Sequence, residues 1–70
     1  MRISARNQLP GTVKSVTEGQ VMAEVVIAVD GGRELVSAIT AESARRLGLV
    51  AGKKVVAVIK STEVMLAVDD

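Results

Sequence analysis

The chain has no Phe, Tyr, Trp, Cys or His in its 70 residues. This set of absences constrains the fold more than any residue that is present. An aromatic side chain buries on the order of 150–250 Å², and here none contributes. The core must be assembled from Val, Ile, Leu, Ala and Met, which are small or slim. A chain of this size buries only about 60% of the surface that its unfolded form exposes. The usual reinforcements of small domains are disulfides, a structural metal or oligomerisation. Without Cys or His, disulfides and zinc-type sites are excluded, which leaves oligomerisation as the source of extra burial. The length allows one domain, residues 1–70.

Nine Lys and Arg face eight Asp and Glu, for a net charge of +1. The signs are interspersed, so no global electrostatic partner is implied. The N-terminal Met1-Arg2-Ile3-Ser4-Ala5-Arg6 carries no apolar run of signal-peptide type. No stretch approaches the roughly 18 apolar residues of a membrane span. The expectation is a cytoplasmic domain with no membrane partner.

Gly and Pro divide the chain into short segments. After Pro10-Gly11, Thr12 to Val16 alternates. Glu18-Gly19-Gln20 reads as a turn. Val21 to Val29 then predicts a strand. Its Val21, Ala23, Val25, Ile27 and Val29 form a wholly apolar face for a core. Met22, Glu24, Val26 and Ala28 form a mixed face available to a neighbouring subunit. Asp30-Gly31-Gly32 signals a tight hairpin, and Leu35 to Ile39 is the returning strand. The period then changes. Thr40 to Gly48 predicts a helix of about two turns, capped by Thr40 and ended by Gly48, with Ala44 and Leu47 as its core contacts. Val55 to Ile59 and Val64 to Val68 are the last two strands, separated by Lys60-Ser61-Thr62-Glu63. Five strands with one short helix between the third and fourth fit an all-β, OB-like Greek-key barrel.

Catalysis finds little support. No His or Cys is present for acid–base or nucleophilic work near neutral pH. The carboxylates are scattered over turns, strand faces and the helix start, with no pair spaced as an acid–base dyad. OB-type barrels often bind nucleic acid, through a basic groove with aromatic stacking platforms. The missing aromatics and the near-zero net charge speak against that use. Two polar clusters remain, Ser4-Ala5-Arg6-Asn7-Gln8 and Lys60-Ser61-Thr62. A tetrahedral dianion has acceptor oxygens and no donor, so its site needs hydroxyls, N–H groups and a cation or two. Ser4, Arg6, Lys60 and Ser61 are of those types. On composition alone, an exposed lead-in and an ordinary hairpin loop are the better reading of both clusters.

A family resemblance changes that balance. The run Ser4-Ala5-Arg6-Asn7-Gln8-Leu9-Pro10-Gly11-Thr12-Val13 resembles the opening of the molybdenum–pterin-binding (Mop) domain, the molbindin family. The family is related to the TOBE domains of molybdate transport proteins. The similarity continues through Val21 to Val25, Ile39 to Leu49, Gly52 to Val55 and Ile59 to Ala67. The opening Ser-Ala-Arg-Asn-Gln-Leu and the closing Lys-Ser-Thr-Glu-Val-Met are its specific parts.

The resemblance implies an OB-like barrel assembled as a hexamer, a trimer of dimers, with oxyanion sites between subunits. It implies molybdate or tungstate as a bound ligand, no covalent cofactor, no bare metal site and no enzymatic activity. Ser4, Arg6, Lys60 and Ser61 are the ligand positions it carries over, with the backbone near Val21 and Met22 added. The expected role is intracellular storage or molybdenum homeostasis. The competing expectations are an OB-type nucleic-acid binder and a pure oligomerisation module. Pro10 departs from the family pattern, where a residue with a backbone N–H is usual, and should affect only the local strand edge.

Overall fold

The computed structural model describes residues 1–70. Four strands form one antiparallel sheet: β1 (Asn7–Glu18), β2 (Met22–Val29), β3 (Arg33–Thr40) and β4 (Lys54–Ile59). Their order is β3-β2-β1-β4. One helix, α1 (Ala41–Arg46), lies between β3 and β4, and single 3-10 turns span Asp30–Gly32 and Ser61–Glu63. The all-β, OB-like character and the position of the helix are as the sequence leads one to expect.

β1 organises the sheet. It begins at Asn7, five residues before the alternating segment that marks it in sequence. Its first half, Asn7 to Thr12, pairs with β4, and its second half, Gly11 to Glu18, pairs with β2. Pro10 is accommodated because the β2 ladder starts only at Gly11, so β4 alone flanks it. A register shift between Val13 and Ser15 leaves Lys14 as an extra residue. This bulge turns Val13 inward and Ser15 outward, and bulges increase local twist. The sheet therefore curls, and its concave side collects the apolar faces.

The helix follows its sequence signals. Thr40 is extended, and its hydroxyl accepts the N–H of Ser43 at 3.1 Å, capping α1. Ala41 and Ala44 are buried where α1 rests on β2 and β3. Leu47 is not the core contact that its spacing suggests. The helix ends at Arg46, and Leu47 is 55% exposed at the margin of the concave face.

Only Val13, Ala23, Val25, Ile27, Ala41 and Ala44 are buried. The rest of the concave face, including Leu35, Ile39, Leu49, Val55 and Ala57, is half-covered. It lines an apolar trough of about 760 Å³. The trough lies open because β3 and β4 are the two edges of the sheet, unpaired with each other.

The expected fifth strand corrects the sequence reading. Val64 to Val68 makes no ladder in the chain, and Met65 and Leu66 are each 92% exposed. β-propensity does not suffice for a strand, which needs a free edge within reach. The segment follows the turn at Ser61–Glu63 and pairs with neither edge of its own sheet.

Gly11 sits where β1 passes closest to β2. A Cβ there would lie 2.7 Å from the carbonyl oxygen of Ala28 and 2.7 Å from Ile27 Cγ2. Gly11→Ala should destabilise the fold by about 1–3 kcal/mol through overpacking. Urea unfolding followed by circular dichroism checks this, and an unchanged midpoint would show that the strands can separate freely there.

Candidate functional site

The β1–β4 ladder determines which polar residues meet. Its terminal pair is Asn7 opposite Ile59. Arg6 immediately precedes Asn7, and Lys60 immediately follows Ile59. Ser4, Arg6, Lys60 and Ser61 therefore gather at one end of the sheet, although 54 to 57 positions separate the two pairs in sequence. A site that uses both clusters needs the chain ends brought together, and antiparallel pairing within one copy brings them to the same end of the sheet.

Local bonds shape both halves of this cluster. The Gln8 side-chain amide donates to the Ala5 carbonyl oxygen at 2.7 Å, folding the lead-in back toward its own strand. That positioning role was not read from the sequence, where Gln8 is one polar residue among several. On the other side, the N–H of Glu63 donates to the Lys60 carbonyl oxygen at 2.9 Å, and that of Val64 to Ser61 at 3.3 Å. These bonds close the 3-10 turn without using the N–H groups of Ser61 and Thr62.

All four candidate side chains are exposed. The side-chain hydrogen bonds of the chain involve Gln8, Lys14, Thr40, Ser43 and Arg45 instead. Its two ion pairs are Lys14 with Glu34 and Arg45 with Glu18. Two hydroxyls, a guanidinium and an ammonium are thus uncommitted at one end of the molecule. Such a set can donate to a small polyoxygen anion and offers it no competing acceptor except the neighbouring Glu63. No three His, Cys, Asp or Glu side chains gather to hold a bare cation.

Val21 and Met22 lie elsewhere. They follow β1 at its far end, beyond the turn at Gly19 and Gln20, with a twelve-residue strand between them and the cluster. That strand has a contour of roughly 36 Å at about 3.3 Å per residue. Both carbonyl oxygens are engaged, Val21 with the N–H of Ala41 and Met22 with that of Gly19, each at 2.7 Å. Val21 is 70% exposed and Met22 49%. One copy cannot bring all six residues onto a single small anion.

Comparison with known proteins gives a consistent answer. The TOBE domain model matches residues 3–66. Molybdenum-pterin-binding protein 3 of Clostridium pasteurianum is 50% identical over 66 residues, covering 94% of this chain and 97% of that protein. A molybdate-binding protein from Sporomusa ovata superposes with a TM-score of 0.90 at 48% identity, over 96% of this chain and 98% of that one. A cytoplasmic molybdate-binding protein, ModG, solved with molybdate bound, has a TM-score of 0.83 at 56% identity. It covers 87% of this chain and is itself covered over 43% of its length.

Proposed function

The chain belongs to the TOBE-domain family, and from that premise we propose that it binds molybdate, and tungstate in the same way, as a non-catalytic protein of molybdenum storage or homeostasis. The observation that carries this reading is the meeting of Ser4 and Arg6 with Lys60 and Ser61 at the end of the β1–β4 ladder. A fully deprotonated tetrahedral dianion suits a set of donors that includes two cations. That the similar protein ModG is cytoplasmic supports the same compartment here. No helix is long and apolar enough to cross a membrane.

The working form is an oligomer, a hexamer built as a trimer of dimers. Two features support assembly. The first is the open apolar trough between β3 and β4. The second is the exposed apolar segment Val64 to Val68, which has no partner in its own chain. Entry of this segment from one copy into the trough of another would bury both and complete the fifth strand. Assembly also explains how Val21 and Met22 can join the site, since their backbone would come from a different copy than Ser4 and Lys60. Anion binding between copies stabilises the oligomer by mass action.

Three outcomes are expected. Sedimentation equilibrium at micromolar protein should give six chains, and Leu66→Asp should release monomers. A parent chain that sediments as a monomer would remove the intersubunit site.

In competition dialysis, molybdate and tungstate should displace each other, with sulfate and phosphate displacing poorly. A donor cage discriminates by oxyanion size and has no acceptor for the proton of monohydrogen phosphate. Equal displacement by sulfate would reduce the site to a generic anion patch.

Lys60→Ala should weaken molybdate binding by roughly ten- to a hundredfold, the worth of a charge-assisted hydrogen bond of about 1.5–3 kcal/mol. Arg33→Ala is the matched control, because Arg33 is exposed and has no ion-pair partner, whereas Arg45 is tied to Glu18. Equal weakening by both substitutions would make the effect one of net charge.

A further inference from the structure

A strand laid into the trough meets two edges that run in opposite directions. The sheet is antiparallel throughout in the order β3-β2-β1-β4, so β3 and β4 point opposite ways. Any strand between them is parallel to one and antiparallel to the other. The two ends of the trough also differ in charge. Lys60 and Glu63 stand at one end. Lys53 and Lys54 lead into β4 at the other, where Lys53 Nζ lies beside Gly48 in the loop after α1. None of these lysines has an ion-pair partner in its own chain, and neither have Asp69 and Asp70, which end the exposed apolar segment.

We propose that Val64 to Asp70 of one copy enters the trough of a second antiparallel to β4, seating Asp69 and Asp70 on Lys54 and Lys53 of the receiving copy. This rests on the strand exchange described above. Residues directly opposite in an antiparallel pair share a face of the sheet. Along β4, Val55, Ala57 and Ile59 are half-buried toward the trough, while Val56 and Val58 are exposed. With Val64 opposite Ile59, Leu66 falls opposite Ala57 and Val68 opposite Val55. Three branched side chains then fill the trough, and the bulkiest stands against the smallest wall residue. Carried two residues further, the same register sets Asp69 opposite Lys54 and Asp70 opposite Lys53.

Apolar pattern and charge agree in this register and in no neighbouring one. A slip of one residue turns Val64, Leu66 and Val68 out of the trough. A slip of two restores the apolar face but moves both Asp residues away from both lysines. The reverse direction carries Asp69 and Asp70 toward Glu63 and Lys60. There they would meet a like charge and compete with an oxyanion for the ammonium. The acidic tail thus sets strand direction and keeps the anion end free of carboxylates.

Charge reversal tests the arrangement. One full-length variant carries Lys53→Glu with Lys54→Glu, and the other Asp69→Lys with Asp70→Lys. Native mass spectrometry at low ionic strength should find each variant alone assembling at least about tenfold more weakly than the parent, since like charges then face each other. A 1:1 mixture should reassemble into oligomers containing both chains, because every tail now meets a receiving site of opposite charge. Recovery on mixing also shows that neither variant had lost its fold. If both variants assemble like the parent, or the mixture stays dissociated, the register is overturned while strand exchange stands. A parent chain that never assembles overturns both.

Discussion

The shortage of side-chain volume governs this molecule. Six buried residues, none larger than Ile, are all that one copy encloses. A curled sheet of slim aliphatic residues cannot fill its own concave side, so the trough stays open between β3 and β4. A single Phe or Trp at the position of Leu35 or Leu49 would occupy much of that space. Without one, that space stays unfilled in a single copy. Surface-to-volume scaling makes such incomplete burial the expected state of a single 70-residue chain. The four candidate residues Ser4, Arg6, Lys60 and Ser61 accordingly lie on the surface.

Much of the fold was legible in the sequence. The wholly apolar face of Val21 to Val29 located the central strand, and its Ala23, Val25 and Ile27 are indeed buried. Asp30-Gly31-Gly32 marked the hairpin because both glycines need positive φ, observed at 80° and 72°. Thr40 and Gly48 bracketed the helix by capping chemistry, which is local and therefore readable. The start of β1 was hidden because Asn7 to Gly11 has no period and contains Pro10. Only its ladder with β4, more than 40 residues away in sequence, makes it a strand. The last segment looked like a strand and is unpaired for the converse reason. Its composition is right, and it pairs with neither edge of its own sheet.

The anion cluster divides in the same way. Ser4, Arg6, Lys60 and Ser61 could be named by chemical type and by family resemblance, and the pairing of Asn7 with Ile59 joins them. The separation of Val21 and Met22 from that cluster was not legible, because strand length sets it and the true start of β1 was not visible. Gln8 was overlooked as a positioning residue because its hydrogen bond to Ala5 satisfies the backbone locally and leaves no periodic trace.

The sharing of β1 between two ladders orders the motions of the molecule. Gly11 and Thr12 are paired to β2 on one side and to β4 on the other. Val13 is held likewise, bonded through its N–H to Lys53 and through its carbonyl to Gly52 while it pairs with Ile27. Fraying of β4 leaves these residues attached to β2, and opening of the β2–β3 hairpin leaves them attached to β4. Each N–H belongs to one ladder only, that of Val13 to the β4 side, so opening one ladder frees its own amides while the other still holds the chain at this waist. The two ends of β1 lie outside it and each depends on one ladder. The polar cluster proposed to hold the anion sits at a tip of β1 that depends on one ladder, so it can open without loosening the centre of the fold.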